Sequence, residues 1–216
     1  MARIEGLLFD MDGTLLDTER VHDRSWKKAL GLKGKPFSKA FQERTMGTNA
    51  GNVKRVCEEL FGLDGDEMMA IEREMTWEYL QQNGVPVMPH VPEVLKELQA
   101  RGIGRCVCTS TGREDALKWL QLAGILELFD EIVCGDDIKA SKPAPEIFLL
   151  GAKKLKLPIE RCLVIEDSKN GLLAGLAAGA RVFRVEGTRE IEREIAEKTR
   201  LLPGFDLLIR MMEEMK

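Results

Sequence analysis

The sequence lacks any long apolar run: no hydrophobic stretch approaches the ~20 residues that a membrane-spanning helix needs. It also lacks an excess of basic residues, since 32 lysines and arginines stand against 36 aspartates and glutamates, which gives no indication of a nucleic-acid or membrane-surface binder. Internal repeats, low-complexity segments and a signal-peptide layout are missing as well. These absences predict a cytoplasmic protein whose partners include neither nucleic acid nor membranes.

The cysteines give no sign of a disulfide framework. There are five, an odd number, and most lie inside apolar runs, which predicts buried free thiols in a reducing compartment. Cys106 and Cys108 lie two residues apart in a strand-like run, and we expect one of them to face each side of the sheet. Neither metal binding nor redox chemistry is favoured for this pair.

The composition that remains is that of an ordinary globular protein. The 216 residues are 44% hydrophobic and 31% charged, enough for one large domain or two modest ones with a sizeable core. From residue 91 onward, helical and strand-like segments alternate, which predicts a parallel sheet with right-handed crossovers. The predicted strands are 4–10, 103–109, 131–135, 161–166 and 181–185, and the predicted helices of this half are 91–100, 114–122, 145–155, 169–178, 188–198 and 205–215.

The segment between the first and second predicted strands is too long for an ordinary crossover between parallel strands. About ninety residues separate Asp10 from Ile103 without a good strand, whereas a crossover needs only ~10–12 or somewhat more. A helical module is therefore inserted after the first strand, with predicted helices 18–30, 38–44, 53–61 and 66–82, the first of them capped by Asp17. We predict an α/β fold with a Rossmann-like parallel sheet flanked by helices, in which residues 1–16 and 88–216 form the core and residues 17–87 form an inserted α-helical domain.

Two acids follow the first predicted strand. Asp10 and Asp12 are two residues apart, so on an extended backbone their side chains point to the same side, and Gly13 then permits a sharp turn. Carboxylates aimed together repel each other unless a cation lies between them, which indicates a metal site. The alternative is a strand followed by an ordinary polar turn.

Polar groups also follow the later strands. Thr109 and Ser110 offer hydroxyls before a helix N-terminus, which suits an anion, although both residue types are also ordinary helix caps. Lys142 is followed by Pro143, which holds the lysine better than a surface position would, although a solvated loop cation is the alternative.

A second pair of acids, Glu166 and Asp167, follows the fourth strand. Their oxygen ligands suit Mg²⁺, and Asp167 or Ser168 is equally suited to cap the next helix. All these groups come at the carboxyl ends of parallel strands, where ligands bind in such folds, and together they predict one site.

Three glycines, Gly171, Gly175 and Gly179, are spaced four apart on the predicted helix that follows these acids. The spacing occurs in membrane helix dimers, but this run is too short and too polar at its start. We expect the glycines to let the helix pack closely on the sheet.

The combined pattern resembles that of the haloacid dehalogenase superfamily, in particular its sugar-phosphate phosphatase and β-phosphoglucomutase group, which carries a helical cap domain inserted after the first strand. The resemblance covers essentially the whole chain. The segments that carry it, in the family's order and spacing, are Asp10-Met11-Asp12-Gly13-Thr14-Leu15, Thr109-Ser110-Thr111, Ser141-Lys142-Pro143-Ala144-Pro145 and Glu166-Asp167-Ser168-Lys169-Asn170-Gly171.

The resemblance implies a role for each residue of the core. It makes Asp10 the nucleophile that becomes an aspartyl-phosphate, and Asp12 the general acid that later acts as the base. Thr109, Ser110 and Lys142 would hold the phosphoryl group. The Mg²⁺ cofactor would be bound by Asp10, the backbone carbonyl of Asp12, and Asp167, with Glu166 at or next to the metal.

The inserted domain is expected to choose the substrate. His22 matches a histidine near the joint in mutases of this group, although a helical histidine is as often a packing or surface residue. The loop Gly47-Thr48-Asn49 resembles the family's substrate-specificity loop, and Ala50 stands where the mutases carry an arginine. A lysine of the mutase cap is replaced at or near Met75.

These departures favour hydrolysis of small sugar or polyol phosphates over a mutase reaction, so the expected function is that of a Mg²⁺-dependent phosphatase. We expect the protein to be a monomer. The alternatives are a β-phosphoglucomutase-like mutase and, less favoured because every acid is present, a non-catalytic phosphate-binding protein.

Overall fold

The computed structural model describes residues 3–45, 50–186 and 191–215. The strands are β1 (Gly6–Phe9), β2 (Gly104–Cys108), β3 (Glu131–Val133), β4 (Cys162–Glu166), β5 (Arg181–Val185) and β6 (Arg200–Leu202). The α-helices are α1 (Glu19–Leu32), α2 (Lys39–Thr45), α3 (Ala50–Phe61), α4 (Gly65–Asn83), α5 (Val91–Ala100), α6 (Arg113–Leu122), α7 (Glu146–Lys154), α8 (Lys169–Ala177), α9 (Arg193–Lys198) and α10 (Leu208–Glu213). No helix in these ranges combines the length and apolarity needed to cross a membrane.

The chain divides into two compact units, a core unit made of Met1–Leu16 and Pro86–Lys216 and an inserted unit made of Asp17–Val85. The core unit contains a six-stranded sheet in the order β3-β2-β1-β4-β5-β6, and every pair of neighbouring strands is parallel. The predicted fold class, a Rossmann-like parallel sheet flanked by helices, is confirmed.

The first strand, β1, lies in the interior of the sheet. Its residues Leu7, Leu8 and Phe9 are completely buried, as a strand covered on both faces requires. Phe9 is in register with Val107 of β2 on one side and with Ile165 of β4 on the other. Because all three strands run parallel, the residues that follow them meet at one edge of the sheet.

Helices α7 and α8 pack on the apolar side chains of this sheet. The buried residues of that cluster include Leu8, Cys106, Cys108, Val164, Ile147, Phe148 and Leu172. The expectation that Cys106 and Cys108 face opposite sides is wrong, because residues two apart in a strand share a face, and their Sγ atoms lie 3.8 Å apart. All five cysteines are buried and free, as predicted.

The inserted unit has an apolar core of its own among helices α1 to α4. Trp26 of α1 lies with its ring centroid 5.1 Å from that of Phe41 in α2, and Leu30, Val56 and Met68 are buried in the same cluster. The unit can therefore bury apolar surface independently of the sheet.

Several predicted boundaries differ from the structure. The N-cap of α1 is Thr18 rather than Asp17, and α1 continues through Gly31 to Leu32. In the described part of the C-terminal region, the helix predicted at 188–198 begins at Arg193, and β6 was not predicted.

Candidate active site

Three carboxylates meet at the carboxyl edge of the sheet. Asp10 directly follows β1, Glu166 is the last residue of β4, and Asp167 comes next, and all three residues are buried. One oxygen from each lies within 4.8 Å of the others. Because these acids belong to neighbouring strands, the strand order rather than a local loop brings them together.

Lys142 is the cation that faces this cluster. Its Nζ lies 2.5 Å from Asp10 Oδ1 and 2.7 Å from Glu166 Oε1, and only 7% of its side chain is exposed. The solvated-loop alternative for Lys142 is therefore wrong, since the ammonium group is enclosed between two carboxylates.

The charges at this edge are not balanced, since one ammonium group faces three carboxylates. Burial is the largest influence on Asp10 and raises the pKa of its carboxyl well above the usual range, against the opposing effect of Lys142. Burial alone would lower the pKa of Lys142, but the carboxylates of Asp10 and Glu166 raise it. An all-oxygen donor set with excess negative charge fits a hard divalent cation such as Mg²⁺. The residues present are thus suited to hold that ion.

The turn after β1 is shaped around Asp167. Thr14 Oγ1 donates a 3.0 Å hydrogen bond to Asp167 Oδ1. Gly13 has a φ of 78°, and a Cβ on it would lie 2.4 Å from Asp167 Oδ2. Glycine is therefore required here both for the backbone conformation and for the close approach of the carboxylate.

The carboxylate of Glu166 is held by the start of α8. Its Oε2 accepts hydrogen bonds from the backbone N–H and the hydroxyl of Ser168, at 2.7 and 3.0 Å, and the same hydroxyl caps α8 by accepting from Gly171 N. A Cβ on Gly171 would lie 1.6 Å from Glu166 Oε1, so the helix can approach this close only with glycine.

The other two glycines of the series have different surroundings. A Cβ on Gly175 would lie 2.9 Å from Val182 Cγ2, which confirms the expected close packing on the sheet. Gly179 has open space around it and a φ of 82°, so it follows the helix in a left-handed turn instead.

Asp12 is held by the loop that follows β2. Its Oδ2 accepts hydrogen bonds from Thr111 Oγ1 at 2.7 Å and from Thr109 Oγ1 at 3.3 Å. Ser110, predicted with Thr109 as a phosphate-binding residue, is exposed. Thr111 was not selected from the sequence, although it lies two residues from Thr109, the spacing by which Asp10 and Asp12 were placed on one side.

The segment that follows β3 contacts the backbone of the loop that follows β2. Gly135 N donates to Thr111 O at 3.0 Å, and a Cβ on Gly135 would lie 2.4 Å from Ser110 O. Arg113 N donates to Asp136 Oδ2 at 2.6 Å. These contacts hold the backbone of the loop without the hydroxyl of Thr111.

The residues predicted for substrate choice lie in the inserted unit. His22 Nδ1 is 2.8 Å from Oε1 of the buried Glu72, and Thr76 Oγ1 donates to the same oxygen at 2.8 Å. About a third of the His22 side chain is exposed, at 33%. Gly47, Thr48 and Asn49 lie outside the described residues. Met75 packs against the apolar core of the unit, at or near the place where the mutases carry a lysine.

Known proteins resemble this chain over most of its length. The family model for haloacid dehalogenase-like hydrolases matches residues 4–179. A fructose-1-phosphate phosphatase of Escherichia coli is 34% identical over 180 residues, which cover 82% of this chain and 94% of that protein. A phosphorylated carbohydrates phosphatase of Thermotoga maritima is 31% identical over 193 residues, covering 84% of this chain and 85% of that protein.

A solved structure shares both the fold and the extent of the chain. The CbbY protein of Rhodobacter sphaeroides, in complex with xylulose-(1,5)bisphosphate, superimposes with a TM-score of 0.80 at 27% identity and covers 94% of this chain and 95% of its own.

Proposed function

The chain belongs to the haloacid dehalogenase-like hydrolase family and is a phosphatase, and on that premise we propose that it hydrolyses small sugar or polyol phosphates through a phosphorylated Asp10. The observation that carries the proposal is the contact of Lys142 Nζ with Asp10 Oδ1 and Glu166 Oε1 in a buried cluster of acids. A carboxylate is a poor nucleophile toward a phosphate dianion because like charges repel, and this site places positive charge beside the attacking oxygen.

The reaction proceeds in two balanced steps. In the first, a carboxylate oxygen of Asp10 attacks phosphorus, the bond from phosphorus to the ester oxygen breaks, and Asp12 gives its proton to the departing oxygen. In the second, water attacks phosphorus and gives a proton to Asp12. The bond from phosphorus to Asp10 then breaks, and inorganic phosphate leaves. Asp12 is thus restored as an acid and Asp10 as a carboxylate.

The remaining residues of the core hold the reacting groups. Lys142 would neutralise charge on the transferring phosphoryl group. Thr109 and Ser110, in the loop after β2, would bind the same group. Asp10, Asp167 and the backbone carbonyl of Asp12 would hold Mg²⁺, with Glu166 at or next to it. When bound, the ion would offset phosphate charge in the transition state.

The inserted unit is proposed as the cap that selects the substrate, with His22 and the loop Gly47-Thr48-Asn49 as its selecting residues. The absence of a cation at Ala50 and Met75 supports hydrolysis over a mutase reaction, because a bisphosphate intermediate requires a grip on its second phosphate. The relatives that act on fructose 1-phosphate and on phosphorylated carbohydrates support a sugar phosphate as the substrate class.

The cellular compartment, oligomeric state and partners of the protein are proposed from its sequence. We propose a cytoplasmic monomer whose partner is the phosphorylated metabolite, with neither nucleic acid nor membrane as a binding partner. The five buried free cysteines support a reducing compartment.

The test is a panel of phosphorylated sugars, polyols and glycolate, assayed with Mg²⁺ for free phosphate and for isomers. We expect phosphate release that EDTA abolishes and Asp10→Asn eliminates, because the amide cannot form the acyl phosphate. Asp206→Asn, at an exposed position, is the matched control and should keep full activity. Retained hydrolysis in Asp10→Asn would refute the nucleophile assignment. Isomer formation that needs added bisphosphate would favour the mutase alternative.

A further inference from the structure

We propose that Thr111 is a positioning residue that orients Asp12 for proton transfer to the leaving oxygen. The inference rests on the proposed phosphatase reaction, in which Asp12 is the general acid. No motif from the sequence analysis assigns this role to Thr111.

The geometry favours Thr111 over Thr109 as a hydrogen-bond partner of the Asp12 carboxylate. Its Oγ1 lies 2.7 Å from Asp12 Oδ2, whereas Thr109 Oγ1 lies 3.3 Å from the same oxygen. A hydrogen bond of 2.7 Å is at the preferred length for a hydroxyl donor, while 3.3 Å is beyond the usual range. Of these two threonine hydroxyls, that of Thr111 therefore holds the Asp12 carboxylate more firmly.

The hydroxyl of Thr109 is engaged elsewhere. It accepts a 3.0 Å hydrogen bond from Thr111 N, and the proposed reaction assigns it to the phosphoryl group. Thr109 is also completely buried, whereas Thr111 is partly exposed at the edge of the sheet. The two threonines thus have different roles: Thr109 binds the phosphoryl group, and Thr111 orients Asp12.

The Thr111 hydroxyl is not needed to hold its own loop. The backbone N–H of Thr111 donates to Thr109 Oγ1, and its carbonyl accepts from Gly135 N at 3.0 Å. Removing only the hydroxyl leaves both anchors in place. Within residues 3–45, 50–186 and 191–215, the hydrogen bond that this hydroxyl makes is the one to Asp12, which is the reason to assign it a positioning rather than a loop-closing role.

The leaving group offers a selective readout of this role. An alkyl phosphate expels a strongly basic alkoxide that needs a proton in the transition state, whereas p-nitrophenyl phosphate expels a weakly basic phenolate that does not. A residue that orients the acid therefore affects the first substrate and spares the second. The ratio kcat/KM reports the first chemical step for both substrates.

The experiment compares Thr111→Val, which keeps the branched shape, with Thr111→Ser, which keeps the hydroxyl. For an alkyl phosphate that the wild type hydrolyses, we expect kcat/KM to fall about tenfold or more in Thr111→Val and to recover to within about threefold in Thr111→Ser. For p-nitrophenyl phosphate, we expect a change of less than about twofold in both variants. Thr199→Val removes a hydroxyl that donates to Ile195 O and should leave both values unchanged.

Two outcomes overturn the inference. An equal fall on both substrates would make Thr111 a structural residue, and an unchanged kcat/KM on the alkyl phosphate would remove its influence on Asp12. Asp12→Asn, measured on the same pair, separates this failure from that of the proposed function. If Asp12→Asn discriminates between the substrates and Thr111→Val does not, only the inference about Thr111 fails. If Asp12→Asn does not discriminate, the acid role of Asp12 fails and the inference fails with it.

Discussion

Replacing Gly171 by alanine should destabilise the protein, although the same change in most helices stabilises it. Alanine in a helix is favoured over glycine by at most about 1 kcal/mol. Here the added Cβ would lie 1.6 Å from Glu166 Oε1, so the Glu166 carboxylate has to leave its position. That carboxylate is 2.7 Å from both Lys142 Nζ and Ser168 N.

The size of the effect follows from the hydrogen bonds that Glu166 would lose. Glu166 accepts three hydrogen bonds, from Lys142 Nζ, Ser168 N and Ser168 Oγ. Each bond to a charged group contributes about 1.5–3 kcal/mol, and we count the loss of the two shortest. After subtraction of the helix preference, the free energy of unfolding should fall by about 2–5 kcal/mol. The Mg²⁺ concentration for half-maximal activity should rise about tenfold or more, because Glu166 is displaced from the acids proposed to bind the metal.

Urea unfolding with and without Mg²⁺, together with an Mg²⁺ titration of activity, measures both effects. Gly31→Ala is the matched control, since Gly31 lies in α1 with no atom within 4 Å of the added Cβ, and it should stabilise the protein by up to about 1 kcal/mol. If Gly171→Ala proves as stable as the wild type and keeps its Mg²⁺ dependence, the reasoning about Glu166 is refuted.

Two further predictions concern the core unit and the thiols. Burial raises the pKa values of Cys57, Cys134 and Cys162 to about 11, so about one of these thiols in a thousand is ionised at pH 8. Ellman's reagent should therefore react slowly with the native protein, faster as the pH rises, and with all five thiols after denaturation. Rapid labelling of the native protein would contradict the burial. Arg105 is buried and donates hydrogen bonds to Asp130 and to two backbone carbonyls. Arg105→Met should therefore lower the free energy of unfolding by about 2–3 kcal/mol while kcat stays constant. A change in kcat with unaltered stability in urea would be the contrary result.

The parts of the fold that could be predicted from sequence are those with a strong local pattern. Strands β1 and β4 differ from prediction by only a few residues, because fully buried strands are near-continuous apolar runs. Strand β5 has the predicted bounds. β6 could not be recognised, since it has three residues, pairs only with β5 and begins with exposed Arg200. A segment that short has no measurable periodicity.

The candidate site was predictable where a motif follows a strand and not where a contact depends on side-chain direction. Asp10, Lys142 and Glu166 were selected from their places in the chain, and the structure brings them into contact. The hydroxyl of Thr111 contacts Asp12, whereas Ser110 is exposed, and the direction of a hydroxyl beyond the end of a strand has no sequence signal. His22 and Glu72 lie 50 residues apart in the sequence, on helices α1 and α4, so no local sequence pattern indicates their contact.

The position of β1 in the sheet has a consequence for the order in which the protein is made. Of the six strands of this sheet, β1 is synthesised first, yet its neighbours β2 and β4 begin at Gly104 and Cys162. At about 5–20 residues per second on a ribosome, roughly 10–30 s pass before β4 emerges. The inserted unit, whose core lies within Asp17–Val85, is complete in the meantime. During that interval the first strand is an apolar segment without its partners, and it is then that a chaperone or a wrong strand has access to it.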